Sequence, residues 1–327
     1  MDSWPTIFGQ FEKLRVLIIG DVMVDAYIWG RVDRISPEAP VPVVHVTNRD
    51  FRLGGAANVA LNILALGATP VLCALAASDD NGKRLMDLLK DKNLSREGIV
   101  LSESRPTTVK ARVIAAHQHV VRIDDESDMV ATADETRSLI SRVETLITTC
   151  DVVVFEDYDK GVVSKELIAA TVQMAKARKI PVVVDPKKRN FLHYEGVTLF
   201  KPNAKELREG LKIDLDPTDL TSIQSAVQAL KDRLKVDGVM LTLSEHGVFI
   251  DHKGMQRHLP AHKREIADVS GAGDTVVSIA ALCVALGLTA EQIAFLSNLG
   301  GGLVCQHVGV VPVDRSELLE EAQTAIS

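Results

Sequence analysis

The segment 268–275 reads Asp-Val-Ser-Gly-Ala-Gly-Asp-Thr and places small residues and carboxylates in front of a long apolar run. The apolar run is typical of a buried helix, so Gly271, Ala272 and Gly273 would form the first turn of that helix. N–H groups in a first turn lack intrahelical acceptors and carry the positive end of the helix dipole. The segment therefore predicts an anion site with Asp274 at its mouth.

Asp274 would repel a bound anion unless it has a chemical task there. It fits the task of taking a proton from a hydroxyl that attacks a phosphoryl group held by the N–H cradle. The segment is not a Walker A loop, because no Lys-Ser/Thr follows at the required spacing, and the third Gly of a dinucleotide fingerprint is missing. A Gly-rich turn with an Asp near a helix start is also common, and the segment alone leaves that alternative open.

A parallel sheet would position this turn, because strands and helices alternate along most of the chain. A buried first strand spans 14–19, and residues 133–243 show a regular succession of strands and helices. This alternation predicts an α/β fold with a doubly wound, mostly parallel sheet. No repeat, low-complexity tract or linker interrupts it, so we expect a single domain over residues 1–327.

Two pairs of short strand patterns have no crossover helix between them. They fall within residues 25–46 and 109–123 and predict a small antiparallel β flap beside the main sheet. Because free strand edges are normally covered, we expect the flap to pair with a second copy in a homodimer. The basic residues of the flap are Arg34, Lys110, Arg112 and Arg122.

Composition narrows the class of protein. With 37 basic and 44 acidic side chains the net charge is −7, which disfavours nucleic-acid binding. The N-terminal segment has no signal-peptide pattern and no apolar run is long enough to span a bilayer, so we expect a cytoplasmic protein without a membrane partner. The four cysteines form no CxxC pair and fit reduced core thiols. His117 and His119 could share a strand face, but without a nearby third ligand zinc is disfavoured.

Polar side chains follow several predicted strands, at the edge where parallel sheets bind ligands. Asp21 and Asp25 follow the first strand, although Asp21 also fits a simple turn. Asp157 and Lys187, which we expect to bind substrate, belong to polar clusters that follow later strands. All of these side chains would meet at one edge of the sheet.

Two helix starts add further polar groups. Gly54 and Gly55 open an apolar-periodic run in which Asn58 could bind hydroxyls; close ligand approach and simple tight packing both explain the double Gly. Asn203 and Glu206 lie one turn apart on one face of another helix. They could hold Mg²⁺ through water, although a capping contact of Glu206 explains the same pattern.

The segments 54–60 and 268–274 together resemble the two signatures of the ribokinase-like (pfkB) sugar kinases. Asn203-x-x-Glu206 is similar to the magnesium-associated motif of that family, and 242–247 resembles its nucleotide-binding loop. The likeness runs in family order and spacing across nearly the whole chain. It implies a ribokinase-like fold and the use of ATP and Mg²⁺.

The resemblance implies a role for each matching position. The catalytic base is Asp274, and the anion hole is Gly271, Ala272 and Gly273. The implied sugar contacts are Asp25, Gly54, Gly55 and Asn58. The positions that would serve ATP and Mg²⁺ are Asn203, Glu206, Thr242, Ser244 and Gly247, with Gly271 and Gly273. Asp268 and Ser270, with residues 305–309, match the monovalent-cation site, for K⁺, that many members have.

Within the family, segments 34–44, 157–161 and 268–275 resemble most closely the D-glycero-β-D-manno-heptose-7-phosphate kinases, some of which are fused to an adenylyltransferase. This likeness implies ATP-dependent phosphorylation of the anomeric C1 hydroxyl of the heptose 7-phosphate to the 1,7-bisphosphate, in ADP-heptose and lipopolysaccharide core precursor synthesis. The chain resembles the kinase half standing alone. Two departures are Ser270, where Thr is common, and Ala-Ala-Ser at 76–78, where a Gly is usual.

A sugar 7-phosphate needs fixed cations at the end of the sugar that lies away from Asp274. The side chains expected there first are Arg34, Arg122 and Lys187, with Lys110 on the same flap. A kinase of the same family for another sugar, sugar phosphate or nucleoside is the alternative. A catalytically inactive binding protein is disfavoured by the intact Asp274 and anion hole.

Overall fold

The computed structural model describes residues 3–116, 118–262 and 264–325, and His117 of the histidine pair lies outside them. The described residues form ten α-helices and thirteen β-strands. The helices are α1 Trp4–Phe11, α2 Ala56–Ala65, α3 Asp80–Asp91, α4 Ala133–Leu146, α5 Lys165–Arg178, α6 Ala204–Leu211, α7 Leu220–Leu234, α8 Ala272–Ala285, α9 Ala290–Val304 and α10 Arg315–Thr324. The strands are β1 Arg15–Gly20, β2 Val22–Ile35, β3 Pro42–Gly55, β4 Thr69–Ala77, β5 Gly98–Ser102, β6 Thr108–Ala115, β7 Gln118–Asp125, β8 Val152–Glu156, β9 Val182–Asp185, β10 Leu199–Phe200, β11 Gly238–Thr242, β12 Val248–His252 and β13 Met255–Leu259.

The larger sheet has nine strands in the order β13-β12-β11-β10-β9-β8-β1-β4-β5. The strands from β11 to β5 pair in parallel, and β12 and β13 add an antiparallel edge. Helices cover both faces of the parallel strands, so side chains on both faces of a strand must be apolar. For this reason β1 and β8 consist mainly of continuous apolar runs. The predicted doubly wound, mostly parallel α/β fold is confirmed.

Helices cover both faces of this sheet, with α2, α8 and α9 on one side and α4, α5 and α7 on the other. Eleven of the fourteen residues of α8 are buried, because this helix is apolar around its whole circumference. It packs against β8 and β9, so its N-terminus lies near the carboxyl ends of those strands. Within the described ranges, no helix is both long and apolar enough to cross a membrane.

Three neighbouring strands present polar side chains toward α8 where they end. Glu156, Asp185 and Lys201 each lie two residues after an apolar residue of the cluster that packs on α8. Because side chains alternate along a strand, all three lie on that same face. Glu156 and Asp185 are also direct register partners across β8 and β9. The sheet therefore delivers a row of ionisable groups to the start of α8.

The smaller sheet is the flap, with four strands in the order β3-β2-β6-β7. The pairs β2–β3 and β6–β7 are antiparallel as predicted, but β2 and β6 run parallel. The expectation of a purely antiparallel flap was therefore wrong: the chain passes through α2, β4, α3 and β5 between the two hairpins and returns in the same direction. Strands β2 and β3, of fourteen residues each, also extend the predicted 25–46 segment at both ends.

The two faces of the flap differ in chemistry. Strand register puts on one face the charged side chains Asp25, Arg52, Lys110, Arg112 and Asp124. It puts on the other face the apolar side chains Ile28, Val113, Val121 and Ile123. Val121 is 48% exposed and Ile123 is 54% exposed, so this second face is an apolar surface open to solvent.

Candidate active site

The first turn of α8 forms an open cradle of amide groups. Gly271 precedes Ala272 with φ of +80°, a left-handed conformation that favours glycine. Among the described residues, the N–H groups of Gly273 and Asp274 have no hydrogen-bond acceptor. A Cβ added to Gly273 would meet only Asp185 Oδ2, at 3.5 Å, which is an ordinary contact. The space in front of these amides is therefore free for a ligand.

Asp274 is 3% exposed and accepts a hydrogen bond on each oxygen. Asn58 Nδ2 donates to Oδ2 over 2.6 Å, and the Tyr158 hydroxyl donates to Oδ1 over 2.7 Å. Burial raises the pKa of Asp274 to about 6, while the two hydrogen bonds act in the opposite direction. The carboxylate is thus ionised at neutral pH and basic enough to accept a proton from an attacking hydroxyl.

Tyr158 is positioned by Asp21, which lies at the end of β1. The Asp21 carboxylate accepts hydrogen bonds from the amides of Tyr158 at 2.8 Å, Lys160 at 3.1 Å and Val162 at 3.0 Å. Burial, with Asp274 as neighbour, raises the pKa of Tyr158 well above its usual value, so its hydroxyl stays protonated and donates. Asp21, considered for either a site or a turn, therefore holds the loop that carries Tyr158.

Asp157, expected to contact substrate, is 1% exposed and has both oxygens engaged inside the protein. Oδ2 accepts from the Tyr194 hydroxyl at 2.8 Å and from Asn190 Nδ2 at 3.0 Å, and Oδ1 accepts from the Asp159 amide at 2.9 Å. Burial, followed by the charge of Asp21, raises the pKa of Asp157 to about 6. This geometry makes Asp157 a support for the Tyr158 loop, with no oxygen turned toward the cleft.

Glu156, Asp185 and Lys201 form one wall of the site. Lys201 Nζ lies 2.9 Å from Asp185 Oδ2, and their side chains are only 4% and 6% exposed. Neither carboxyl oxygen of Glu156 has a hydrogen-bond partner among the described residues. Burial, then the charges of Asp185 and Asp274, raises the pKa of Glu156 well above its usual value. These surroundings therefore favour the protonated form of Glu156.

Asn203 and Glu206 form a capping box at the start of α6. Asn203 Oδ1 accepts from the Glu206 amide at 2.8 Å, and Glu206 Oε2 accepts from the Asn203 amide at 2.8 Å. The capping contact of Glu206 is thus confirmed. Its second oxygen, Oε1, is used differently and accepts from Lys187 Nζ over 2.6 Å. One oxygen holds the helix and the other is available to a cation.

The remaining nucleotide candidates lie beside this helix start. Thr242 forms an isolated parallel bridge with Asn203, which joins the end of β11 to the start of α6. Ser244 and Gly247 shape the following turn with φ of +52° and +86°. A Cβ added to Gly247 would lie 2.1 Å from the Leu259 carbonyl oxygen, so packing alone requires glycine there.

Asp25 on β2 forms an ion pair with Arg112 on β6, and both side chains are nearly buried. A Cβ added to Gly54 would lie 2.1 Å from Asp25 Oδ2, and one added to Gly55 would lie 2.3 Å from the Asp21 carbonyl oxygen. Tight packing therefore explains the double glycine. Its result is that the Asp25 carboxylate is pinned where the flap meets the start of α2.

Asp268 joins the segment before α8 to the loop that follows α9. Its Oδ1 accepts from the Ser270 amide at 2.9 Å and its Oδ2 from the Gly309 amide at 2.9 Å, while its own amide donates to the Cys305 carbonyl at 3.2 Å. Partial burial acts to raise the pKa of Asp268, but these hydrogen bonds outweigh it and lower the pKa. The structure thus brings together the segments expected at a monovalent-cation site.

Besides Arg112, two further basic residues of the flap are paired with carboxylates. Lys110 Nζ lies 3.0 Å from Glu126 Oε2 and 3.5 Å from Asp124 Oδ2, with its side chain 15% exposed. Arg122 Nε lies 2.9 Å from Asp124 Oδ1, with its side chain 59% exposed. Both belong to the flap sheet, and a phosphate there would have to compete with these carboxylates.

The three side chains expected first for the sugar phosphate do not converge. Arg34 lies nine residues beyond Asp25 on the same strand, about 30 Å away at the rise of a β-strand. Arg122 lies in the flap, whereas Lys187 contacts Glu206 in the first turn of α6. One seven-carbon sugar in one copy of the chain cannot contact all of them.

Residues 13–315 match the sequence profile of the pfkB family carbohydrate kinases. The match includes the amide cradle, Asp274 and the capping box of α6. The chain belongs to the pfkB family of carbohydrate kinases. It is accordingly an ATP-dependent phosphotransferase that acts on a sugar alcohol group.

Curated relatives match almost all of this chain but only part of their own length. Bifunctional protein HldE of Citrifermentans bemidjiense is 39% identical over 97% of this chain and 65% of the relative. HldE of Gluconacetobacter diazotrophicus is 40% identical over 95% of this chain and 64% of the relative. HldE of Wolinella succinogenes is 36% identical over 96% of this chain and 66% of the relative. The chain spans just under two thirds of the length of these relatives.

Solved structures share the fold at low sequence identity. Phosphofructokinase-2 from Escherichia coli in complex with potassium has a TM-score of 0.78 at 19% identity, covering 96% of this chain and 100% of that chain. Arabidopsis thaliana ribokinase complexed with ribose and ATP has a TM-score of 0.71 at 16% identity, covering 94% of this chain and 99% of that chain. At such identities the likeness concerns the fold alone, and the predicted ribokinase-like fold is confirmed.

No role followed from the sequence for four side chains of the site, namely the Tyr158 hydroxyl, Glu156, Asp185 and Lys201. A signal for three of them was present, because Glu156, Asp185 and Lys201 end or directly follow the neighbouring buried strands β8, β9 and β10. Alternation along those strands would have placed them on one face. Nothing local indicates that the Tyr158 hydroxyl reaches Asp274, 116 residues away.

Proposed function

We propose that this enzyme transfers the γ-phosphoryl group of ATP to the anomeric hydroxyl of D-glycero-D-manno-heptose 7-phosphate. The observation that carries the chemistry is the buried, ionised Asp274 at the mouth of an amide cradle that nothing else fills. The choice of sugar is supported by 36–40% identity to HldE proteins over nearly the whole chain.

In the proposed step the C1 hydroxyl oxygen attacks the γ-phosphorus, and the bond from that phosphorus to the β–γ bridging oxygen breaks. ADP leaves with the bridging oxygen, and the hydroxyl proton moves to Asp274. The N–H groups of Gly273 and Asp274 stabilise the charge on the phosphoryl oxygens. An anomeric hydroxyl is more acidic than an ordinary alcohol, which suits a carboxylate base.

Mg²⁺ fits the oxygen ligands on the nucleotide side of the cleft. Glu206 Oε1 faces Lys187, and Asp185 Oδ1 is buried without a hydrogen-bond partner among the described residues. No cluster of three or more His, Cys, Asp or Glu in those ranges could hold a metal, which agrees with an ion that keeps waters and phosphate oxygens as ligands. When bound, Mg²⁺ would neutralise phosphate charge. Asn203, Thr242, Ser244 and Gly247 are proposed to line the nucleotide side.

A monovalent cation is proposed beside the anion cradle. Asp268, Ser270 and the 305–309 loop meet there, and the Asp268 carboxylate stays ionised. The Escherichia coli phosphofructokinase-2 of the same fold was solved with potassium. Such an ion would support the turn that orients the Gly271–Gly273 amides.

The sugar is proposed to lie between Asp274 and the charged face of the flap. Asn58 Oδ1 is buried without a partner among the described residues, so it is suited to accept from a sugar hydroxyl, and Asp25 is pinned nearby. For the 7-phosphate the charged face offers Lys110, Arg112 and Arg122. Arg34 could serve only from a second copy, because of its distance along β2.

A homodimer through the flap is part of this proposal. The exposed apolar side chains there include Ile35 at 60%, Val41 at 52%, Val121 at 48% and Ile123 at 54%. An apolar surface of this kind on a sheet with free edges favours contact between two copies. Light scattering at micromolar concentration should give twice the chain mass, and Val121→Glu should give a monomer.

The use of ATP also leads us to propose a cytoplasmic location.

An assay of ADP release with a panel of sugars tests the proposed function. We expect heptose 7-phosphate to give the highest kcat/KM, unphosphorylated heptose a much lower value, and fructose 6-phosphate or ribose still less. Asp274→Asn serves as the control for contaminating ATPase activity. A higher kcat/KM for another sugar or for a nucleoside would replace the heptose assignment and leave the kinase chemistry intact.

A further inference from the structure

Lys187 lies where the nucleotide side of the cleft meets the catalytic base. Its Nζ is 2.6 Å from Glu206 Oε1 and 3.8 Å from Asp185 Oδ1. The same nitrogen is 5.4 Å from the centre of the Tyr158 ring, whose hydroxyl is bonded to Asp274. One ammonium group thus contacts both carboxylates proposed for Mg²⁺, and only the Tyr158 side chain separates it from Asp274.

Lys201 provides a contrast on the same carboxylate. It follows β10, its side chain is 4% exposed, and it holds Asp185 Oδ2 at 2.9 Å. Lys187 lies in the loop after β9, and its side chain is 30% exposed. Lys201 is a fixed partner of Asp185, whereas the greater exposure of the Lys187 side chain leaves room for its ammonium to change position.

The ammonium of Lys187 and a divalent cation compete for one place. Mg²⁺ binds a carboxylate oxygen at about 2.1 Å, so it cannot share Glu206 Oε1 with an ammonium already in contact, because the two cations would repel each other strongly. Binding of the metal therefore requires the ammonium to move.

We propose that Lys187 is a stand-in cation that holds Glu206 and Asp185 until the divalent metal arrives, and that the displaced ammonium then pairs with the transferred phosphoryl group beside Asp274. The flexible four-carbon stem of lysine suits such a movement, and its point charge suits a phosphate. This inference rests on the proposed kinase function but not on the identity of the sugar. It predicts that the metal binds weakly until phosphate oxygens offer the ammonium a new partner.

The test measures metal binding without nucleotide, using Mn²⁺ alone and following the free ion by electron paramagnetic resonance. We expect Lys187→Met to bind Mn²⁺ about tenfold more tightly than the wild type or better, since a competing charge at contact distance is gone. The same variant should lose about 10²–10³-fold in kcat, as expected when a charge on the transferring phosphoryl group is missing. Lys187→Arg keeps the competing charge and should bind Mn²⁺ as weakly as the wild type.

Lys188→Met is the matched control, because Lys188 is the exposed neighbour on the same loop and should change neither quantity. Unchanged or weaker Mn²⁺ binding in a folded Lys187→Met variant would overturn the stand-in role. Tighter Mn²⁺ binding with unchanged kcat would overturn the phosphoryl contact. Because the Mn²⁺ readout needs no sugar, a failure of the heptose assignment would show up separately in the sugar panel.

Discussion

Asp274 and Asp157 have the same kinds of partner but lie in different surroundings. Each is almost fully buried, each accepts hydrogen bonds from one tyrosine hydroxyl and one asparagine amide, and burial raises the pKa of each to about 6. A search for perturbed carboxylates would not separate them. Their immediate hydrogen-bond partners and pKa shifts therefore cannot distinguish the proposed base, Asp274, from Asp157.

The difference lies in what surrounds the two carboxylates beyond those partners. Asp274 stands in the first turn of α8, next to amides without acceptors and open space in front of Gly273. Asp157 has its remaining oxygen engaged by the Asp159 amide, inside the loop that it supports. A raised pKa becomes useful for catalysis only where a reacting group can arrive, and the predictions below test that distinction.

The largest effect is expected from Asp274→Asn, which keeps the shape but cannot accept the proton. We expect kcat to fall about 10²–10⁴-fold, the usual contribution of a general base, with a melting temperature at or above that of the wild type. Steady-state kinetics measures kcat, and thermal unfolding measures the melting temperature. A variant that keeps more than half of the wild-type kcat would remove Asp274 from the mechanism.

Gly273→Ala tests whether the open space in front of the α8 amides is needed for turnover or whether this turn only serves the packing of the protein. The added methyl would meet only Asp185 Oδ2, at 3.5 Å, so folding should be unaffected, but it would occupy the cradle. We expect kcat to fall by about 10²-fold, because a misplacement of about 1 Å at the reacting centre has that effect. Gly9→Ala is the control, since a Cβ there meets nothing within 4 Å and lies in α1. Equal turnover in both variants would make the cradle a structural turn only.

Tyr194→Phe removes one donor from Asp157 and should affect stability without affecting the base. We expect the free energy of unfolding at pH 7.5 to fall by about 1–3 kcal/mol, the range for a buried acceptor that loses its partner. Because the pKa of Asp157 is raised to about 6, the carboxyl is largely protonated at pH 5 and needs the donor less, so the loss there should be smaller. Urea unfolding at the two pH values measures this difference, and a shift in the pH–rate profile would contradict it.

Tyr158→Phe is the matching change at Asp274 and should have the smallest effect. For the wild type, kcat/KM should fall as pH drops below about 6, because Asp274 becomes protonated. The Tyr158 hydrogen bond lowers that pKa, so its removal should move the acid limb to higher pH and reduce kcat/KM a few-fold near pH 6.5. Stability should change less than in Tyr194→Phe. An acid limb that stays in place would separate Tyr158 from the base.

The sequence was most informative where a local pattern dictates structure. The succession of strands and helices within residues 133–243, and the helix that begins at the small residues before Asp274, followed from apolar periodicity and helix-start residues. Elements with weaker patterns, such as α1, β5 and the β12–β13 hairpin, received no assignment. The parallel pairing of β2 with β6 also escaped, because it depends on what the chain does between them.

The places of the candidate site residues in the fold could be predicted from the sequence, but their individual contacts could not. The positions of Asp274, Asn203 and Glu206 follow from the spacing of helix starts and strand ends. The inward turn of Asp157 and the pairing of Lys187 with Glu206 depend on partners that are 37 and 19 residues away along the chain. No spacing rule gives such contacts, because they are decided by how neighbouring strand ends pack in three dimensions.

The position of α8 has a consequence for how this chain is made. Strands β8 and β9 leave the ribosome before α8, yet the apolar face that they share packs against that helix. At roughly 5–20 residues per second, the delay between the end of β9 and the end of α8 is about 5–20 s. During that time the growing chain exposes the sheet face on which α8 later places Asp274, so we expect the nascent chain to depend on chaperones until α8 is synthesised.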